Sequence, residues 1–423
     1  MTDTALMDDL SAAQKADLAY INSTAAVRER SGNIFAACQA GETAGFSLNL
    51  DQMDKVADYV TAFIRDRFED PSDIPYHSRW RHFESGGVDR LQELEDKLFG
   101  TPGNNAARIL FDLCILSVLL DAGAGDIWTY NEAESGQSFT RSEGLAVASF
   151  RMFLDGAFSA YPDTNLSADG VTLAEFSEVA LESGFQVSDS NPLVGVEGRT
   201  ALLRTLGTIM LKRPEQFGDI DCRVGHLFDR LIEHRSEGEA VPAHDILSLL
   251  LDALAPIWPD RLSLHGQPLG DVWHHPHAGG EGETAGLVPF HKLSQWLSWS
   301  LIEPLQWAGW SVSGLDQLTG LPEYRNGGLF VDLGVLTPKS DDALTKAHAP
   351  GSELIVEWRA LTVCLLDRLH PMVQERLGVP SDKFPLACLL EGGSWAAGRK
   401  IAAELRPETN GPPIQIASDG TVF

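Results

Sequence analysis

Met53, Val56, Val60, Phe63, Ile64 and Phe68 recur at steps of three and four residues, with aspartate and arginine on the opposite side. That spacing places the apolar side chains on one face of a helix. Residues 106–120 are apolar nearly all round, which predicts a buried helix at the centre of the fold. A helix is expected from Ser142 to about Phe153, with Ser142 as its cap and Glu143 at its positive end. Residues 200–211, 226–234 and 243–254 carry the same period. Strand patterns are sparse. Residues 329–335, after Gly327 and Gly328, and residues 414–423 are short apolar runs beside turn residues. The chain therefore reads as mainly α, a large helical enzyme fold with a few short strands.

Residues 274–286 (HHPHAGGEGETAG) have the composition of an exposed loop. They mark the expected boundary between an N-terminal helical part, 1–275, and a C-terminal part, 287–423, unless the two form one continuous domain. No internal repeat and no long low-complexity tract interrupts either part.

Composition narrows the partners. A chain of 423 residues with 43% hydrophobic and 22% charged residues can bury a real core. A formal charge of -28 opposes binding to nucleic acid, where affinity comes largely from neutralising phosphates. It opposes an anionic membrane surface for the same reason. The most apolar stretch, residues 109–120, is short and carries Asp112, so no membrane span is expected. The acidic start MTDTALMDDL lacks the pattern of a signal peptide, and five scattered cysteines suit reduced thiols. The expectation is a cytoplasmic protein acting on a small molecule.

Four segments concentrate chemistry. In LVPFHKLSQWL, His291 and Gln295 stand four residues apart on one helical face, and Lys292 and Trp296 share the next. An imidazole, an ammonium, an amide and an indole on adjacent stripes suit a polar ligand with a flat portion, or else form an ordinary amphipathic helix. In LPEYRNGG, Glu323, Tyr324 and Arg325 are set between a proline and two glycines, with Asp332 further on. A carboxylate beside a guanidinium can be held ionised as a nucleophile, a base or a stabiliser of positive charge. The alternative is a structural salt bridge at a turn. In PYHSRWRHFESGG, His77, Arg79, Arg81 and His82 place positive charge in an acidic protein, either as an anion site or to neutralise its own carboxylates. In DVWHHPHAGG, His274, His275 and His277 cluster without a carboxylate or cysteine at a usual metal spacing, so no metal is assigned. Small residues 122–125 precede Trp128 with no strand before them, which excludes a dinucleotide fingerprint. Arg359 lies in VEWRAL, and LEGGSWAAGRKIA repeats its association of carboxylate, indole and arginine.

PYHSRWRHFE, LLDAGAG, RSEGLAVASF, LVPFHKLSQWL, LTGLPEYRNGGLFVDLGVL, VEWRALTVCLLDRL, EGGSWAAGRKIA and the closing SDGTVF, in this order, resemble the uracil catabolism protein 4 family. The resemblance spans nearly the whole chain. It implies a place in a pyrimidine-degrading route that begins with uracil phosphoribosylation and ends in urea. A second, local resemblance covers residues 290–336, which are similar to the queuosine 5'-phosphate N-glycosylase family, a mainly helical one. There a Tyr-Lys-Arg-Ala-Gln helix and an Ala-Asp-Tyr-Arg turn carry the site. His291, Lys292 and Gln295 match the helix, and Glu323, Tyr324 and Arg325 the turn, with Glu in place of Asp and Asn326-Gly327 in place of Pro-Gln.

Together the resemblances imply an N-glycosylase-like hydrolase that cleaves a ribosylurea or its 5'-phosphate without a cofactor. Glu323, with Asp332 as second candidate, would meet the positive charge that develops on the sugar, and His291 or Lys292 would serve the leaving nitrogen. Arg325, Tyr324, Gln295, Trp296, His77, Arg79, Arg81, Trp128 and Arg359 would bind the substrate. The competing readings are a metal-dependent amide or ring hydrolase of the same route and a non-catalytic protein that binds an intermediate. The oligomeric state is not readable from the sequence.

Overall fold

The long helix Glu353–Leu377 (ELIVEWRALTVCLLDRLHPMVQERL) buries a run of residues from Ile355 to Leu366 and anchors much of what surrounds it. In the computed structural model, which describes residues 10–161, 166–236, 238–258 and 261–417, it packs against the helices Thr24–Gln39, Met53–Arg67 and Tyr324–Asp332. The core formed there joins Val27, Ile34, Val288, Phe290, Val356 and Val363, all fully buried. Burying side chains of this size stabilises by roughly 1.5–3 kcal/mol each, before the entropy of ordering them. The periodic face of residues 53–68 is realised as the helix Met53–Arg67, with Val56, Val60 and Ile64 inside.

Two units divide the chain. The first holds the described residues of Met1–His77, Asp260–Trp296 and Gly314–Ser418; the second holds those of Ser78–Pro259 and Leu297–Ser313. Residues 274–286, the expected boundary, fall inside the first unit. There Val272–His274 pairs antiparallel with Leu287–Pro289 on the other side of the loop. Phe46–Leu48 pairs antiparallel with Leu336–Pro338, and Ala347–His348 runs parallel to Gln415–Ile416.

In the second unit the helix Gly103–Leu119 is buried along most of its length, as its all-round apolar sequence requires. Its one interior acid, Asp112, is fully buried and meets Arg223 and the Gly225 amide. Burial pushes that carboxyl up to about 6 although Arg223 pulls the other way. The helix Arg141–Leu154 packs on it, and the hairpin Thr129–Glu132/Gln137–Thr140 leads into that helix. Glu132 in the hairpin accepts from both Arg90 and Arg151.

Among the described residues the sheets have two strands each, so the mainly α reading holds. Three details differ from the sequence expectation. Residues 329–335, expected as a strand, largely belong to the helix Tyr324–Asp332, because Glu323 caps it and Leu329 and Phe330 turn into the core. Thr140, not Ser142, occupies the cap position of Arg141–Leu154, and Arg141 carries a positive φ of 55° at that entry. Only Gln415–Ile416 of the run 414–423 is a strand, and residues 418–423 lie outside the described residues. The five cysteines form no disulfide, and four of them are buried. Among the described residues, no helix is long and apolar enough to cross a membrane.

Candidate functional site

Glu323 follows Pro322 with extended backbone (φ −116°, ψ 165°) and is the N-cap of Tyr324–Asp332. Its Oε1 accepts from the Asn326 amide at 2.5 Å and its Oε2 from the Arg325 amide at 2.7 Å. Its carboxylate satisfies donors that the first helical turn cannot pair internally. The residue is 8% exposed. Burial raises its carboxyl above the ordinary glutamate value, against the pull of the two amides and of Lys292 and Arg325. Each oxygen retains lone-pair capacity beyond its amide.

Asp271 fixes this loop to the start of the helix Lys292–Trp307. Its Oδ2 accepts from the Lys292 amide at 3.0 Å, and its two oxygens take a forked pair of bonds from Arg359 at 2.7 and 2.8 Å. The third nitrogen of that guanidinium, Nε, donates to the Pro322 carbonyl at 3.2 Å, one residue before Glu323. Burial disfavours the Asp271 anion, yet the Arg359 charge outweighs it and holds the carboxyl well below the usual range. A planar fork suits this task because it binds both carboxylate oxygens and the carbonyl at once.

The second side of the cluster comes from the C-terminal motif. Residues Leu390–Ser394 (LEGGS) form a π-helical turn that runs into the helix Trp395–Leu405. Such turns are rare and concentrate at functional sites. A Cβ on Gly392 would lie 2.8 Å from the Ile74 side chain, and one on Gly393 would lie 2.7 Å from Val60. Ser394 donates to the Asn326 side chain at 2.8 Å, and Gly398 sits against the Arg325 carbonyl. The two helices are thereby clamped at the turn that Glu323 caps.

His77 completes the arrangement. Its Nδ1 is 2.7 Å from Glu391 Oε2 in the π turn, and its amide donates to the Ala387 carbonyl. Its ring lies 5.5 Å from that of Trp395 and 6.2 Å from that of Trp296, tilted to each by 41° and 32°. Trp296 stands one helical turn after Lys292, and Arg399 lies 5.0 Å over the Trp395 ring. Glu323, Lys292, Trp296, His77, Glu391 and Trp395 thus form one connected set within the first unit. It offers a buried carboxylate, an ammonium, a histidine–glutamate pair and two indole rings.

The other expected site residues have different surroundings. His291 has a positive φ of 47°, and its Nε2 meets the Ile21 carbonyl at 3.0 Å. Burial pushes its ring pKa down. Gln295 is fully buried, bonded twice to Thr319. Arg325 donates to the Asn410 carbonyl and lies over the Tyr324 ring. Asp332 is held by both terminal nitrogens of Arg406, at 2.9 and 2.6 Å. It lies at the opposite end of its helix from Glu323, about 13 Å away by helical rise.

Arg79, Arg81 and Trp128 belong to the second unit. Arg79 is buried with Asp121 and Ser117, Arg81 pairs with Glu303 and Glu84, and Trp128 donates to the Phe185 carbonyl. His274 is exposed, His277 is half-buried, and burial pushes the His275 ring down to about 4. No group of three or more His, Cys, Asp or Glu side chains is placed to hold a metal ion among the described residues.

Sequence reasoning missed Glu391, Trp395 and Asp271 as site residues. The recurring carboxylate, indole and arginine of LEGGSWAAGRK pointed to the first two. Nothing local distinguished Asp271, whose role arises from partners 21 and 88 residues away.

Two relatives match almost end to end. Uracil catabolism protein 4 of Lachancea kluyveri is 41% identical over 437 aligned residues, covering 96% of this chain and 99% of that protein. Protein urg3 of Schizosaccharomyces pombe (strain 972 / ATCC 24843) is 42% identical over 406, covering 94% and 96%. The family described as protein of unknown function (DUF1688) matches residues 20–423. The chain therefore belongs to this family, together with uracil catabolism protein 4.

Proposed function

We propose that this chain is a hydrolase of uracil breakdown that cleaves the N-glycosyl bond of an N-ribosyl urea, free or 5'-phosphorylated. The name of the Lachancea kluyveri relative supports the pathway. The observation that carries the reaction is the Glu323 carboxylate, buried, oriented by two amides and acted on by the Lys292 charge.

Breaking the bond between C1' and nitrogen leaves positive charge on the sugar. A preorganised carboxylate in a site of low dielectric stabilises that charge without having to reorient. Water adds its hydroxyl to C1', the bond to nitrogen breaks, and urea departs with a proton. Hydrogen bonds from two backbone amides, one to each oxygen of Glu323, fix its direction, as catalysis by a placed charge requires. The Asp271–Arg359 bracket supports the reading because it holds the loop of Glu323 and the start of the Lys292 helix in one geometry.

The test is release of urea from ribosylurea and from its 5'-phosphate by purified protein, with Glu323→Gln beside the wild type. We expect turnover by the wild type and a loss of at least about 10²-fold in the variant, the scale of one preorganised electrostatic group. Because burial raises the Glu323 carboxyl, activity should fall on acidification while the pH is still above the ordinary glutamate value of 4.5. No urea from the wild type, or an undiminished rate in Glu323→Gln, refutes the reading.

A further inference from the structure

We propose that His77, oriented by Glu391 and flanked by Trp296 and Trp395, is the acid that protonates the leaving nitrogen, and that the two indoles form the slot for a planar ureido group. The proposal rests on the N-glycosyl reading and adds to it the proton donor and the recognition of the leaving group.

His77 is nearly buried, yet Trp395 is half-buried and Arg399 beyond it is exposed, so the cluster reaches solvent on that side. With the Nδ1 proton directed to Glu391 at 2.7 Å, the ring's tautomer and orientation are set, and Nε2 becomes the edge that carries the second proton in the imidazolium. The Trp296 and Trp395 rings, both within 6.2 Å of the imidazole, give aromatic surface suited to a flat, neutral, conjugated group, with the Arg399 guanidinium over the Trp395 ring.

The cluster is tied to the carboxylate side. Trp395 follows Ser394, Ser394 holds Asn326, and the Asn326 amide holds Glu323. Trp296 is one turn from Lys292, whose charge acts on Glu323. The acid for the nitrogen and the anion for the sugar are thus linked by two short chains of contacts. In the step, the imidazolium gives its Nε2 proton to the nitrogen as the bond to C1' breaks, and water supplies hydroxyl to C1'. The water's remaining proton restores the acid over the cycle, so nothing else is consumed.

The experiment uses the full chain and two substrates, ribosylurea and 4-nitrophenyl β-D-ribofuranoside. The flat nitrophenolate of the second leaves without a proton. His77→Gln should lose at least about 10²-fold on ribosylurea, the lower end of what a general acid contributes, and stay within about threefold on the nitrophenyl riboside. Glu391→Gln, a change to a positioning residue, should show the same contrast at smaller amplitude, and it serves alone if His77→Gln does not fold. Glu323→Gln should lose both activities.

An undiminished ribosylurea rate in His77→Gln, an equal loss on both substrates, or a wild type that hydrolyses ribosylurea but rejects the flat nitrophenyl group overturns the proposal. A wild type inactive on both refutes the N-glycosyl reading instead. Calorimetric titration with ribosylurea in the Glu323→Gln background, where turnover is suppressed, then judges the slot by itself. Binding weakened at least tenfold by Trp395→Leu upholds it, and absence of binding or an unchanged affinity overturns it.

Discussion

Gly398→Ala tests the clamp that seats the Glu323 helix. A Cβ at this position would stand 2.3 Å from the Arg325 carbonyl oxygen and 2.9 Å from its carbon. The obstacle is backbone, which cannot swing aside as a side-chain end can. To reach ordinary contact, the helices Tyr324–Asp332 and Trp395–Leu405 must part by about 1 Å, forfeiting much of the dispersion along their seam. Overpacking of this kind costs about 1–3 kcal/mol. Replacing a helical glycine returns roughly 0.5–1 kcal/mol through propensity. The net expectation is destabilisation by about 1–2 kcal/mol.

Gly32→Ala is the control. It lies inside the helix Thr24–Gln39, and an added Cβ there has nothing within 4 Å. It should be neutral or stabilising by up to about 1 kcal/mol. Urea titration followed by circular dichroism is the suitable assay. For 423 residues unfolding together, the entropy near the midpoint is about 0.9 kcal/mol/K, so Tm would move by only about 1–2 °C. The two alanine variants should differ by about 2 kcal/mol at equal m. A Gly398→Ala protein that unfolds at the wild-type midpoint or above would refute the close-approach argument.

Two further outcomes follow from the charged brackets. Asp271→Asn should cost about 3 kcal/mol at neutral pH, since it leaves the buried Arg359 without its counterion. The wild-type carboxyl is depressed in the folded state, so its contribution is present above the unfolded value and is lost as pH falls. Stability curves of the two proteins should therefore converge on acidification, and parallel curves would contradict the assignment. Arg406→Ala should destabilise by about 1–3 kcal/mol by exposing Asp332 unpaired, while urea release per folded molecule stays near wild type. A loss of turnover comparable to that of Glu323→Gln would bring Asp332 back as the working carboxylate.

Much of the helical frame was legible because periodicity reports burial directly. The apolar steps of Met53 to Phe68 and the all-round apolar run after Ala106 each became the helix they predict. Residues 329–335 misled because a short apolar run is compatible with a strand or a buried helical face, and only the cap at Glu323 distinguishes them. At the candidate site, the sequence brought forward Glu323, Lys292, Trp296 and His77 through local crowding of residue types. It was silent on Asp271, whose meaning lies in Arg359 far along the chain. It also could not show that His291 turns to the Ile21 carbonyl, since a positive φ at a helix entry leaves no periodic trace.

The π turn at Leu390–Ser394 acts as a phase setter for everything downstream of it. A π turn holds one residue more than an α turn, so removing one residue from the pair Gly392-Gly393 restores an ordinary α turn and leaves the next helix near its present phase, whereas inserting one rotates that helix by about 100° and shifts it by about 1.5 Å. Trp395 would swing off His77, and Gly398 would leave the Arg325 carbonyl, in a single movement. The indole and the seam share one angular setting, so a single inserted residue would undo both at once.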